Sequence, residues 1–108
     1  MTTIDPDQNV VTLVNVFTVE PADQQRLLDL LDRATEDVMQ HLPGFVSANL
    51  HAGLDGTHVV NYAQWRSVED FQAMLESPLV REHMDAAAEL ATVEPNLYRV
   101  HKTFLARQ

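Results

Sequence analysis

Two kinds of apolar spacing alternate along this chain, and their order constrains the fold more than any other feature. Strand-like runs, rich in Val, Thr and aromatic residues or alternating every second position, are separated by runs with helical spacing of three and four. In chain order the strand, helix, strand, strand, helix and strand segments are 10–19, 21–42, 45–52, 57–66, 67–91 and 97–105. Because a two-residue period indicates a strand and a 3.6-residue period a helix, the sequence predicts the order β-α-β-β-α-β.

Residues with special backbone preferences separate these segments. Pro43-Gly44 is expected to end the first helix, and Leu54-Asp55-Gly56 supplies the turn of a hairpin. Ser67 with Asp70 three residues later resembles a capping box, so a helix is expected to begin there. Ser77-Pro78 interrupts that helix and begins a second helical piece.

A β-α-β-β-α-β order usually folds as a ferredoxin-like α+β domain, with a four-stranded antiparallel sheet and both helices on one face. Residues 1–9 are polar and are expected to form a flexible lead-in, leaving 10–108 as a single domain. The strands are apolar on both faces, Val10 to Val19 most clearly. One face meets the helices, and the other is expected to pack against a second copy, giving a homodimeric α/β barrel.

Composition excludes several functions. Seven Lys and Arg residues against sixteen Asp and Glu give a net charge of −9, which disfavours nucleic acid and anionic membranes as partners. The chain has no cysteine and no metal-binding histidine pattern, so no metal site is expected. There is no glycine-rich nucleotide motif. No stretch resembles a signal peptide or a membrane span, so the expected location is the cytoplasm.

Two strand asparagines and the one tryptophan are the first candidates for chemistry. Asn15 and Asn61 stand within apolar strands, where a buried amide without a partner costs about 1–3 kcal/mol. Trp65 follows Asn61 by four residues on the same strand face, so an amide and an indole N–H lie side by side. These groups either bond to neighbouring backbone, with the tryptophan in the core, or orient an oxygen atom of a flat aromatic ligand.

His51 is the preferred candidate among the five histidines for accepting a proton, because neutral imidazole titrates near pH 7. By strand parity it shares a face with Phe45, Ser47 and Asn49. Each histidine is also compatible with a solvated or structural role.

Three parts of the chain resemble the antibiotic biosynthesis monooxygenase family, and most closely its cofactor-free anthrone oxygenases. They are Val11-Thr12-Leu13-Val14-Asn15, Leu42-Pro43-Gly44-Phe45, and the run Asp55 to Ser67 that contains Val60-Asn61-Tyr62-Ala63-Gln64-Trp65, followed by Phe71. The resemblance implies a homodimer whose protomers each hold a pocket between sheet and helices. It implies oxidation of an anthrone-type aromatic polyketide to a quinone by O₂, with no metal or flavin. The implied catalytic residues are Asn15, Asn61, Trp65 and His51, and the implied substrate-binding residues are Phe17, Phe71, Met74, Arg81 and His83.

Departures from the family pattern keep two alternatives open. Some of these oxygenases have a proton-transferring tyrosine where this chain has Phe71, so another group or the substrate's own hydroxyls would have to handle the proton. A haem-degrading branch shares the first-strand asparagine, but Met74 and Met84 stand at its helix positions and His83 is displaced by one. A non-catalytic member that binds an aromatic ligand is the third hypothesis.

Overall fold

The computed structural model describes residues 1–107. The strands are β1 (Val11–Val19), β2 (Phe45–Ala52), β3 (His58–Trp65) and β4 (Ala91–Tyr98), and the helices are α1 (Gln24–Asp37), α2 (Val68–Leu75) and α3 (Pro78–Leu90). Short 3₁₀ turns at Pro21–Asp23 and Met39–His41 flank α1. No helix of the described chain is long and apolar enough to cross a bilayer.

The four strands form one antiparallel sheet in the order β2-β3-β1-β4. The helices pack on one face of this sheet, where most of the buried side chains of β1 and β3 lie. The prediction of a ferredoxin-like α+β fold is therefore confirmed. Asn15 of β1 lies directly opposite Asn61 of β3, and Pro95 of β4 lies on the other side of Asn15.

Local sequence signals begin and end these elements as expected in most places. The Ser67 side chain accepts a hydrogen bond of 3.0 Å from the backbone N–H of Asp70 at the start of α2. Gly44 and Gly56 have φ angles of 81° and 78°, a left-handed conformation that favours glycine. Ser77 occupies the N-cap of α3, but its side chain makes no capping bond.

The last strand was predicted at Leu97–Leu105, and this prediction is wrong. The strand instead begins at Ala91, directly after α3, and ends at Tyr98. Pro95 is tolerated inside it because β4 is an edge strand, where a missing N–H need not break the sheet. The first helix is also shorter than the predicted segment 21–42, since its α-helical part ends at Asp37.

A bulge near the start of β2 changes which side chains share a face. Phe45 pairs with Trp65, but Ser47 pairs with Gln64, so the register shifts by one residue between them. Phe45 therefore lies on the helix-covered face, while Ser47, Asn49 and His51 lie on the outer face. The prediction that His51 shares a face with Phe45 is wrong for this reason.

The outer face carries a hydrogen-bonded polar network under the N-terminal segment. The Gln64 side chain is 1% exposed; it accepts a bond from the Ser47 hydroxyl at 2.8 Å and donates to the Thr3 carbonyl at 2.7 Å. Asn49 donates to the Tyr62 carbonyl at 2.9 Å and accepts from the Thr2 hydroxyl at 2.6 Å. The first residues thus contact the sheet directly.

Candidate active site

A cavity of about 220 Å³ separates the helices from the sheet. The buried core on this side divides into two clusters, one around Leu13 and Trp65 and the other around Phe17 and Leu31, and the cavity is lined from both. The exposed lining residues all belong to α2 and β4, which places an opening between these two elements; they are Leu75, Pro95, Asn96 and Leu97. The lining is mainly apolar, as is usual for small-molecule sites.

Asn15 and Asn61 line this cavity at the level where the two core clusters separate. They are direct cross-strand partners, and their neighbours along the strands are apolar. Both side-chain oxygens are buried and have no hydrogen-bond partner within residues 1–107. Because a buried amide without a partner is costly, this adjacent pair is better explained by a ligand than by the fold.

Trp65 lies four residues beyond Asn61 along β3, on the same face, and is 1% exposed. Its ring packs edge-on against Phe45 at 5.5 Å between centroids and against Phe71 at 6.4 Å. These two contacts fix the plane of the indole beside the cavity that it lines. The core role and the ligand-binding role of this tryptophan are therefore compatible.

The predicted substrate-binding residues divide into two groups. Phe17, Phe71 and Met74 line the cavity, whereas Arg81 is exposed and His83 is half-buried on α3, and neither lines it. His51 lies on the outer face, where a ring nitrogen is 3.0 Å from the Asn49 carbonyl. The structure thus brings together Asn15, Asn61 and Trp65 and leaves the three basic residues outside.

Several lining residues were absent from the predicted site. Thr35 of α1, Met39 of the 3₁₀ turn and Met84 of α3 belong to this group, together with Phe45. The helical spacing placed Leu31 and Ala34 on the inward stripe, so the adjacent Thr35 was within reach of pattern analysis. Phe45 was not, because the bulge that turns it inward has no signal in the sequence.

No side chain that titrates in the ordinary pH range lines the cavity of the described chain. Its polar lining groups are amides, a hydroxyl and an indole, all neutral. Within residues 1–107 there is also no cluster of three His, Asp or Glu side chains able to hold a metal ion. The site can therefore donate hydrogen bonds to an oxygen-bearing aromatic ligand through its amide N–H₂ groups and indole, and accept them at the unpartnered amide oxygens, but it supplies no side-chain base.

This fold and cavity define a ferredoxin-like protein with a pocket for an apolar small molecule. The chain belongs to the antibiotic biosynthesis monooxygenase family, whose model matches residues 10–86. It is 46% identical over 104 residues to the tetracenomycin-F1 monooxygenase of Streptomyces glaucescens, covering 96% of this chain and 93% of that protein. The predicted family and an oxygenase activity are thereby confirmed.

Two solved structures support the same assignment. SnoaB, a cofactor-independent oxygenase from Streptomyces nogalater, is 31% identical with a TM-score of 0.77, over 89% of this chain and 97% of that one. The ActVA-Orf6 monooxygenase of Streptomyces coelicolor, solved in complex with nanaomycin D, is 31% identical with a TM-score of 0.80, over 95% and 96%. These relatives do not favour the haem-degrading alternative.

Proposed function

We propose that this protein oxidises an anthrone-type aromatic polyketide to the quinone with O₂ and without a metal or flavin. The observation that carries the proposal is the amide pair Asn15 and Asn61, whose side-chain oxygens have no partner within residues 1–107, beside Trp65 in an apolar cavity. Such oxygens accept from a hydroxyl of a ligand, while the N–H₂ group of the same amide can donate to a ligand ketone oxygen. Two relatives support the proposal, since one is a tetracenomycin-F1 monooxygenase and another is a cofactor-independent oxygenase.

In this proposal the amide pair and the indole N–H hold the substrate's oxygen. An anthrone methylene is acidic because its carbanion delocalises over the fused rings and onto the ketone oxygen. Hydrogen-bond donors placed at that oxygen stabilise the enolate, and removing one donor from such a site costs roughly 3 kcal/mol of barrier. Asn15 and Asn61 lie on opposed strands of a rigid sheet, so the donors are already in position before the substrate binds.

The enolate then passes one electron to O₂, and the resulting radical and superoxide combine into a peroxide. The peroxide then loses water: one oxygen atom of O₂ stays as the new carbonyl, and the other departs in water together with the two methylene hydrogens. The cavity offers no side-chain base, and Phe71 has no hydroxyl, so the substrate's own ionised phenolic oxygen takes the first proton. Phe17, Phe71 and Met74 contribute apolar walls that exclude water.

An oxygen electrode tests the activity. Chelator-treated protein with emodin anthrone is expected to consume O₂ and form emodin faster than the uncatalysed oxidation does. An Asn15→Ala, Trp65→Phe double variant should lose this catalysis while still folding, although its melting temperature falls because Trp65 is replaced by a smaller core side chain. Unchanged turnover in that variant would refute the assigned roles, and loss of turnover on chelation would refute the cofactor-free reaction.

We also propose that the protein is a homodimer, packed through the outer face of the sheet. Val14, Val16, Val60 and Tyr62 lie on this face and are only half-buried in the single chain. Apolar strand residues exposed in this way are typical of an interface. Light scattering at micromolar concentration should give twice the chain mass of 12.2 kDa.

A further inference from the structure

The polar groups of the cavity are distributed unequally between its two sides. The sheet contributes Asn15, Asn61, the indole of Trp65 and, on the exposed edge strand β4, Asn96. Among the described residues that the helices and the 3₁₀ turn contribute, Thr35 is the one with a polar side chain. The others are Leu31, Ala34, Met39, Phe71, Met74, Leu75 and Met84.

The hydroxyl of Thr35 is already used as a donor. It donates to the carbonyl of Leu31, one helical turn earlier on α1, at 2.8 Å. A hydroxyl whose proton is already in a hydrogen bond still has lone pairs on its oxygen that can accept hydrogen bonds. Thr35 therefore offers the ligand an acceptor on the helix side of the cavity, whereas on the sheet side the indole and the amide N–H₂ groups donate and the unpartnered amide oxygens also accept.

Local preferences do not account for a threonine at this position. Threonine is a weaker helix former than alanine or leucine, and a hydroxyl bonded to the carbonyl four residues earlier slightly destabilises a helix. The neighbouring lining residue Ala34 shows that a small apolar side chain is accommodated in this wall. A half-buried threonine in the lining of an apolar cavity is better explained by a ligand group that its hydroxyl oxygen can bond.

We propose that Thr35 determines specificity by accepting a hydrogen bond from a phenolic hydroxyl on an outer ring of the substrate. The inference rests on the proposed function, because it takes the ligand to be a flat phenolic ketone. The sheet donors then bind the ketone oxygen and Thr35 binds the phenol, so the two sides of the cavity fix which end of the substrate points to β1 and β3. A substrate without that hydroxyl binds with this contact missing.

Emodin and chrysophanol provide a matched pair of ligands, since these anthraquinones differ by one outer-ring phenolic hydroxyl. Binding is measured by quenching of Trp65 fluorescence, the signal of the one tryptophan in the chain. Thr35→Val preserves side-chain shape and removes the hydroxyl. It is expected to weaken emodin binding about 5- to 10-fold and to change chrysophanol binding less than about 2-fold. Thr35→Ser should restore most of the emodin affinity.

Equal effects of Thr35→Val on both ligands, or no effect on either, overturn the proposal, as does a serine variant that behaves like the valine variant. Melting temperatures establish that each variant is folded, and Thr35→Ala replaces Thr35→Val if the latter is not. Oxygen uptake with the two anthrones is recorded in parallel. Wild-type protein that binds emodin selectively through Thr35 but oxidises neither anthrone refutes the proposed function and leaves this inference standing.

Discussion

Both faces of the sheet carry polar amides, but the amides of one face have hydrogen-bond partners and those of the other face do not. On the outer face Gln64 and Asn49 bond to Ser47, the Tyr62 carbonyl and the N-terminal segment. On the helix-covered face the side-chain oxygens of Asn15 and Asn61 are buried without a partner. Thr12 on the outer face and Gln8 in the N-terminal segment also have unpartnered side-chain oxygens, but neither residue lines the cavity.

This difference distinguishes amides that stabilise the fold from amides that are available to bind a ligand. A satisfied buried amide contributes to stability, and its loss leaves its partners without hydrogen bonds. An unsatisfied amide in a cavity lowers the stability of the free protein. It forms its hydrogen bonds only when a ligand with polar groups enters. The two sets should therefore respond in opposite ways to the same substitution.

The largest expected effect is on turnover. Asn61→Ala should lower kcat with emodin anthrone roughly 100-fold, because a donor to the developing oxyanion is lost. Its melting temperature should stay the same or rise. Asn49→Ala, an asparagine on the adjacent strand but on the outer face, is the matched control and should lower the melting temperature while keeping kcat per folded molecule. Similar kcat values for the two variants would show that the amides of the two faces do not differ in their role in catalysis.

The second effect is on assembly. Val14→Asp introduces a charge on the outer face and should raise the dimer dissociation constant by about 100-fold or more, because an unpaired charge would be buried in the interface. Sedimentation or light scattering across a dilution series measures this constant. Gln72→Asp, at an exposed position of α2 on the helix side of the sheet, is the control. A Val14→Asp protein with unaltered mass would place the interface elsewhere.

Stability shows the third effect. Gln64→Leu should reduce the free energy of unfolding by about 1–3 kcal/mol, because the Ser47 hydroxyl and the Thr3 carbonyl lose their partner. Denaturant titration gives the value, and Gln72→Leu on the exposed side of α2 is a control for the change in composition. An undiminished unfolding free energy in Gln64→Leu would show that the network is not structural.

The smallest effect lies in the hairpin turn, which belongs to neither face. The Thr57 backbone N–H, followed by the His58 ring, lowers the pKa of Asp55. A carboxyl whose pKa is lower in the folded state stabilises the protein above its unfolded pKa of about 3.9 and loses this contribution as the pH falls through the folded value. In Asp55→Asn the free energy of unfolding should therefore depend slightly less on pH below about pH 4, and turnover should be unchanged. An acid transition identical to wild type would contradict this.

Much of the fold follows from local patterns. The capping residues of α2, the hairpin turn and the inward stripe of α1 are visible in the sequence because they depend on neighbours three or four positions away. Strand parity also placed Asn61 and Trp65 on one face. The last strand was predicted, but at the wrong position. Pro95 is acceptable in a strand only when one side of that strand is unpaired, which is a property of the sheet order.

The sequence alone determined the order of elements, the fold class and the presence of two costly amides in apolar strands, because these depend on spacing and residue type. The tertiary structure decided that Asn15 and Asn61 face each other, that a bulge turns Phe45 inward and leaves His51 on the outer face, and that the core divides around a cavity. Pairing and register set these features, and both are fixed by contacts between residues far apart in the chain.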